Sequence, residues 1–304
     1  RRAYGLFDRF GIQVNEAADS QPVPGAADRW IVHQNFATAP HLNRLPDRSV
    51  ILLERIDSSQ ARTRKAVAHP AVFAAWKIAS LPIERTRCGH IREHVALMGD
   101  HADNKPVDVL STADAMKVRP GPHYGHYPLM ARWANIEVDL SAPRSIDVSF
   151  AGRVGPYHPA VEQHRRSCCD ALEAMCGRLS VKVSPDRTMC RASYDKMLMD
   201  TRVVVSPWGN GELCYRDIEA MLAGCVLVKP MPYRLNTLGD VFEPGTFAPC
   251  AYDWSNLESV VSDVVARWDE WLPERRHNHT RMAAQLDPAN LARWVGEELK
   301  RGAA

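Results

Sequence analysis

The chain has 304 residues, with 38 Lys+Arg against 36 Asp+Glu and 45% hydrophobic residues. This ordinary globular composition excludes a disordered or fibrous chain and supplies enough apolar side chains for a large core. A formal net charge of +2 gives no strong field for a polyanion, so stable nucleic-acid binding is not expected, whereas small anions are compatible with it. No apolar run approaches the roughly 20 residues that span a bilayer. Several of the eight cysteines fall inside apolar patterns and no C-x-x-C occurs, which reads as buried thiols in a reducing compartment and points to a cytoplasmic location. The sequence opens on Arg1 rather than Met, so any upstream targeting signal would lie outside these residues.

In chain order, the first 45 residues are rich in Ala, Pro, Asp and Asn and carry one convincing strand, over 29–33. An apolar run over 49–56 predicts a second strand, ending in the polar turn Asp57-Ser58-Ser59-Gln60. A helical stretch through Ala68 and a mixed segment over 72–81 follow. These are α/β signals. Residues 99–144 are loop-rich and contain the expected lobe boundary.

From Ser145 the alternation becomes regular. Strands are predicted over 146–151, 180–184, 203–206 and 225–229, separated by helices over 158–175, 190–200 and 212–223. Strands joined by helices of that length imply parallel pairing through right-handed crossovers, hence a doubly wound sheet. Ligands of such sheets bind beyond the carboxyl ends of the strands, which singles out the loops at 152–157, 206–212 and 229–233. Helices over 255–270 and 273–286 precede a terminal helix opened by Asp287-Pro288. The expected division is an acceptor-side lobe over 1–143, a nucleotide-sugar-binding lobe over 144–286 and a terminal helix over 287–304. The expected fold class is thus α/β with two Rossmann-like lobes.

The segment from Ser206-Pro207-Trp208-Gly209-Asn210-Gly211-Glu212 through Arg216-Asp217-Ile218-Glu219-Ala220 to Gly224-Cys225 is the most informative. On a helix from 212, Ile218, Met221 and Leu222 share an apolar face, and Glu212, Arg216 and Glu219 line another. Those acidic residues, seven apart, would lie roughly 10 Å from each other along that face, the reach of a sugar diphosphate. Glycines before the helix let backbone N–H groups and the positive helix end approach an anion. Taken as charges alone, the same stripe also reads as a solvated face with i,i+4 salt bridges.

Arg216-x-x-Glu219-Ala220 followed by Gly224-Cys225-Val226-Leu227-Val228 resembles the donor-binding motif of GT-B fold glycosyltransferases, in particular exostosin-like enzymes and related bacterial polysaccharide transferases. The resemblance covers about residues 145–255. It implies that Glu219 accepts hydrogen bonds from ribose hydroxyls, that Arg216 lies near the diphosphate, and that Arg153, in the turn after the first strand of this half, faces the pyrophosphate. A guanidinium suits bidentate phosphate contacts. Ser206, Trp208, Gly209 and Gly211 would complete the donor site, with Trp208 stacking on a ring or covering the sheet edge. Ser206-Pro207 stands where exostosin-like chains carry Cys-Pro, and Glu212 and Glu219 are one residue closer than in many retaining GT-B enzymes.

The activity implied is transfer of a sugar from a nucleotide diphosphate-sugar donor to a hydroxyl of a glycan or lipid-linked acceptor, with no cofactor or metal required. Arg216, with Arg153, would neutralise the departing diphosphate, Glu212 is a further catalytic candidate, and Asp57 is the first candidate for the base, with Glu54, His33 and Asp100 behind it. Asp57 equally reads as a helix cap. A non-catalytic carbohydrate- or nucleotide-binding protein and a transferase acting on a nucleic-acid base are the alternatives. Cys88, His90, His94 and His101 read as hydrogen-bonded side chains rather than a zinc site, and the His123–Tyr127 turn as packing or an acceptor pocket. The basic residues Arg275, Arg276, His277, His279 and Arg281 predict a solvated face, or a weakly membrane-associating one.

Overall fold

The computed structural model describes residues 30–33, 39–53, 64–77, 79–80, 110–122, 130–155, 159–186, 189–209, 211–231 and 235–301. Asp57, Glu54, Asp100, His90, His94, His101 and the 123–127 turn lie outside them. The protein is a mixed α/β structure built on two parallel sheets.

The first sheet aligns β1 (Trp30–His33), β2 (Val50–Leu53), β3 (Val72–Lys77) and, beyond the two-residue β4 (Ala79–Ser80), β5 (Val118–Pro120), all parallel in the order β1-β2-β3-β5. β2 and β3 are buried at every position, as expected of parallel strands covered on both faces. The short helices α1 (Ala39–Leu42), α2 (Arg64–Val67) and α3 (Thr112–Ala115) supply Leu42, Val67 and Ala115 to one face.

The second sheet contains β6 (Ile146–Gly152), β7 (Val181–Pro185), β8 (Thr201–Val205), β9 (Val226–Pro230) and, after the two-residue β10 (Asn236–Thr237), β11 (Ala248–Cys250). Its order is β11-β9-β8-β6-β7, parallel throughout. The chain winds outward to β7, returns past β6 to β8 and continues to β11, so β6 and β8 flank the point where the strand order reverses. That is where open α/β sheets present a crevice. One face carries α4 (Pro159–Glu173) and α7 (Leu257–Ala266); the other carries α5 (Arg191–Met199), α6 (Tyr215–Leu222) and α8 (Leu272–Leu286).

α6 begins at Tyr215, not at 212. Cys214 is its cap, and the carboxylate of Asp217 accepts the Cys214 N–H at 2.9 Å, which satisfies a donor that a longer helix would have bonded internally. The three charged residues therefore do not form one helical stripe: Glu212 precedes the first turn. Nor is the stripe solvated, since Glu212 is 3%, Arg216 5% and Glu219 0% exposed. The helix stops because Gly224 takes φ +71° and an added Cβ there would meet Leu140 Cδ2 at 2.2 Å. A left-handed, crowded position of that kind accepts only glycine.

Among the described residues, the parts of the chain that carry the two sheets meet at a short strand pair and at the terminal helix. β10 pairs antiparallel with β4. The terminal helix α9 (Pro288–Arg301) packs Val295, Trp294 and Leu299 on the second face of the first sheet, with Trp294 4.7 Å from Trp76 between ring centroids. Arg119 reaches the buried carboxylate of Glu298 at 2.9 Å.

The expected solvated basic face over 275–281 is largely consumed by packing. Arg275 is 2% exposed, donates to Leu140 O at 3.0 Å and lies 3.7 Å over the Trp268 ring. His279 bonds Leu222 O and Arg281 bonds Gly239 O. Among the described residues, no helix is long and apolar enough to cross a membrane.

Candidate functional site

At the switch point, β6 ends in Ala151-Gly152-Arg153 and β8 runs into Ser206-Pro207-Trp208-Gly209. Arg216, near the start of α6, crosses to β6 and donates Nε to Ala151 O at 3.0 Å, its guanidinium 4.8 Å over the Phe150 ring. It passes so close to Gly152 that a Cβ there would meet Nη2 at 1.9 Å. Glycine at 152 is what lets the guanidinium lie against the strand end. Nη1 of Arg216 is buried without a hydrogen-bond partner, a costly condition for a cationic donor.

Arg165, buried on α4, bridges the two loops: Nε donates to Trp208 O at 2.8 Å and Nη1 to Arg153 O. Arg153 itself is exposed. The switch point thus gathers three guanidiniums, two of them buried. Ser206 is fully buried; its carbonyl accepts from Lys229 at 3.1 Å, and its hydroxyl has no partner. Lys229, which ends in the interior, forms a wholly buried ion pair with Asp217 at 3.2 Å. Gly209 and Gly211 are buried and joined by an N–H to carbonyl bond of 3.0 Å.

Trp208 is 5% exposed and donates its indole N–H to Pro230 O at 3.2 Å, which places it in a packed aromatic group. His164 stacks parallel on Tyr252 at 4.3 Å and on Trp254 at 4.7 Å, and accepts the Trp208 backbone N–H. Burial, helped by Lys229 and Arg165, lowers the His164 pKa to about 3, so the imidazole is neutral and can accept.

Glu219 points away from this group, to the face shared with α5. Oε1 pairs with Arg132 at 2.9 Å and Arg191 at 3.1 Å, and Oε2 accepts from Tyr194 at 3.0 Å. Arg132 comes from a 3₁₀ turn (Ala131–Asn135) between the sheets and also grips Asp195 through Nε and Nη2 at 2.9 and 2.6 Å. Although burial opposes its charge, the bonds to Asp195 and Glu219 raise the Arg132 pKa. Burial and the Glu219 charge push the Tyr194 phenol well above its ordinary value, so it remains a donor. With no exposed surface, the Glu219 carboxylate is satisfied by protein groups.

The structure therefore brings Arg153, Arg216, Ser206, Trp208, Gly209, Gly211 and Glu212 to one end of the second sheet and sets Glu219 one helical turn beyond Arg216. Asp57 is outside the described residues. Sequence reading missed Arg165 and His164, although both sit on the apolar stripe of α4 with Val161, Cys168, Cys169 and Leu172; a charge at a core position was the available signal. Arg132 and Arg191 carried none, because their partner is distant in sequence. Seven cysteines, Cys88 lying outside the described residues, are free thiols. Among the described residues no cluster of His, Cys, Asp and Glu could hold a metal ion.

No protein-family model matches this chain, and no curated protein matches it. Among solved structures it is similar to the pneumococcal O-GlcNAc transferase GtfA, solved with UDP and GlcNAc, at 10% identity and a TM-score of 0.44. The alignment covers 89% of this chain and 59% of that one, so this chain spans less than two thirds of the neighbour's length.

Proposed function

We propose that the protein is a GT-B-type glycosyltransferase that moves a sugar from a nucleoside diphosphate-sugar to an acceptor hydroxyl. One observation carries the reading. A buried guanidinium, Arg216, lies across a glycine at the strand-order reversal with Nη1 unpartnered, which is the condition of a cation awaiting an anion. The motif likeness around Arg216-x-x-Glu219-Ala220 supplies the class of anion.

In this reading the diphosphate occupies the crevice between the loops after β6 and β8, against Arg216 and Arg153. Bond cleavage at the anomeric carbon leaves charge on the β-phosphate, and fixed guanidiniums stabilise that charge without reorganising. Arg165 holds the two loops in register. The acceptor enters from the side of the first sheet, whose strands β1 and β2 end side by side at His33 and Leu53; Asp57, Glu54, His33 and Asp100 are the proposed sources of a base, and Glu212 of a further catalytic carboxylate. A glycan or lipid-linked alcohol fits the acceptor role.

The test is release of nucleoside diphosphate from a panel of nucleotide sugars, with and without glycan acceptors. Release abolished in Arg216→Gln, with the folded state retained, supports the assignment. A wild-type protein that neither binds nor cleaves any member of the panel overturns it.

A further inference from the structure

The main chain on both sides of Arg153 is held by groups from outside its loop. The carbonyl of Gly152 accepts the N–H of Asp186 at 3.0 Å, and the Arg153 carbonyl accepts from Nη1 of Arg165. Beyond Arg153, Oδ1 of Asp186 accepts the N–H groups of Val154 at 3.1 Å and of Gly155 at 3.4 Å. Val154 is also buried, in one core cluster with Phe150 and Cys168. Arg153 sits exposed between these fixed neighbours.

Asp186 closes the end of β7 onto this loop. It follows Pro185, whose partner across the sheet is Gly152, and it takes a left-handed φ of +61°, which aspartate tolerates better than most residues. There its N–H and its carboxylate both serve the same neighbouring loop. The two N–H groups after Arg153 are donors of the kind that loops use to cradle anions, and a carboxylate already occupies them. An anion arriving at the end of β6 therefore meets this stretch through the Arg153 guanidinium rather than through those amides.

We infer that Asp186 is a positioning residue for the diphosphate, acting through the main chain of 152–155 to present Arg153 and touching no phosphate itself. A loop held before the ligand arrives has less freedom left to lose on binding. The inference rests on the proposed diphosphate site and adds to it a residue from the edge strand.

The experiment titrates inorganic pyrophosphate, UDP, GDP, ADP, CDP and dTDP calorimetrically into wild type, Asp186→Gly, Asp186→Asn, Arg153→Ala and the double variant of Asp186→Gly with Arg153→Ala. Glycine accepts the positive φ but removes the acceptor, whereas asparagine keeps both. For pyrophosphate and for the nucleoside diphosphate that binds wild type best, Arg153→Ala is expected to lose about tenfold in affinity. Asp186→Gly loses about fivefold, the scale of ordering one long side chain on binding, and Asp186→Asn stays within about twofold of wild type. Added to Arg153→Ala, Asp186→Gly changes affinity by less than about twofold, a coupling that a general loss of structure would not produce. Wild-type affinity in Asp186→Gly or in Arg153→Ala, an Asp186→Asn as weak as Asp186→Gly, or the full further loss on top of Arg153→Ala overturns the inference while the diphosphate site stands on Arg216. A wild type that binds neither pyrophosphate nor any nucleoside diphosphate overturns the site and this inference together.

Discussion

Replacing Glu219 by alanine removes the acceptor of three donors at once. Tyr194, 9% exposed, loses its carboxylate partner at 3.0 Å, and a buried phenol left unsatisfied costs about 1–3 kcal/mol. Arg132 and Arg191 each lose an ion pair, but their side chains are 22% and 38% exposed, so water takes over part of the role and each loss is worth only about 1 kcal/mol. The total is on the order of 3–5 kcal/mol, and at about 2–4 °C per kcal/mol for a large domain the melting temperature should fall by roughly 6–20 °C. Glu219→Gln keeps an oxygen for one arginine and should lose about half as much. Scanning calorimetry of both variants gives the comparison. A drop below about 2 °C in Glu219→Ala would mean that the network contributes no net stability and that its arginines are already hydrated.

Lys229 and Asp217, both with 0% exposed side chains and 3.2 Å apart, form a second test: Lys229→Met or Asp217→Asn alone should destabilise by about 3–5 kcal/mol, with the double variant recovering much of it. Additive losses in urea unfolding would deny the coupling. The His164 pKa of about 3 lies below its ordinary 6.5, so the unfolded chain takes up the extra proton between these values. Stability should be complete above pH 6.5 and fall by up to about 1.4 kcal/mol per unit below it. His164→Gln should flatten that slope, and an unchanged slope would assign it to other groups. Trp294→Ala, which removes the ring packed on Trp76, should raise amide exchange in α9 and β3 and leave β8 protected; unchanged exchange in β3 would show that α9 does not secure the first sheet.

Four strands of the second sheet were legible in the sequence because they are apolar runs, fully buried in β9 and nearly so in Val203-Val204-Val205 of β8, between helices of crossover size, whereas β11, the three residues Ala248-Pro249-Cys250, carried no such run. The start of α6 was misplaced by three residues because Cys214, which occupies the N-cap, lies outside the usual capping set, and the bond that marks the helix start runs from its backbone N–H to the Asp217 carboxylate. Glu219 illustrates the harder limit. Its spacing from Arg216 suggested a shared ligand, yet it turns to Arg132 and Arg191, 87 positions back for Arg132, a pairing that exists only once the turn between the sheets has folded against α5 and α6. The wrapping of α9 onto the first sheet was equally invisible: its apolar stripe shows an amphipathic helix, not which surface it covers.

The most direct test of a phosphate-binding crevice at the β6/β8 reversal is a calorimetric titration of Gly152→Ala alongside wild type with the best-binding nucleoside diphosphate. An alanine Cβ would occupy the space of Arg216 Nη2, 1.9 Å away, and displace the guanidinium, so affinity should fall by about tenfold or more while the protein remains folded. Affinity equal to wild type would place the ligand elsewhere on the molecule.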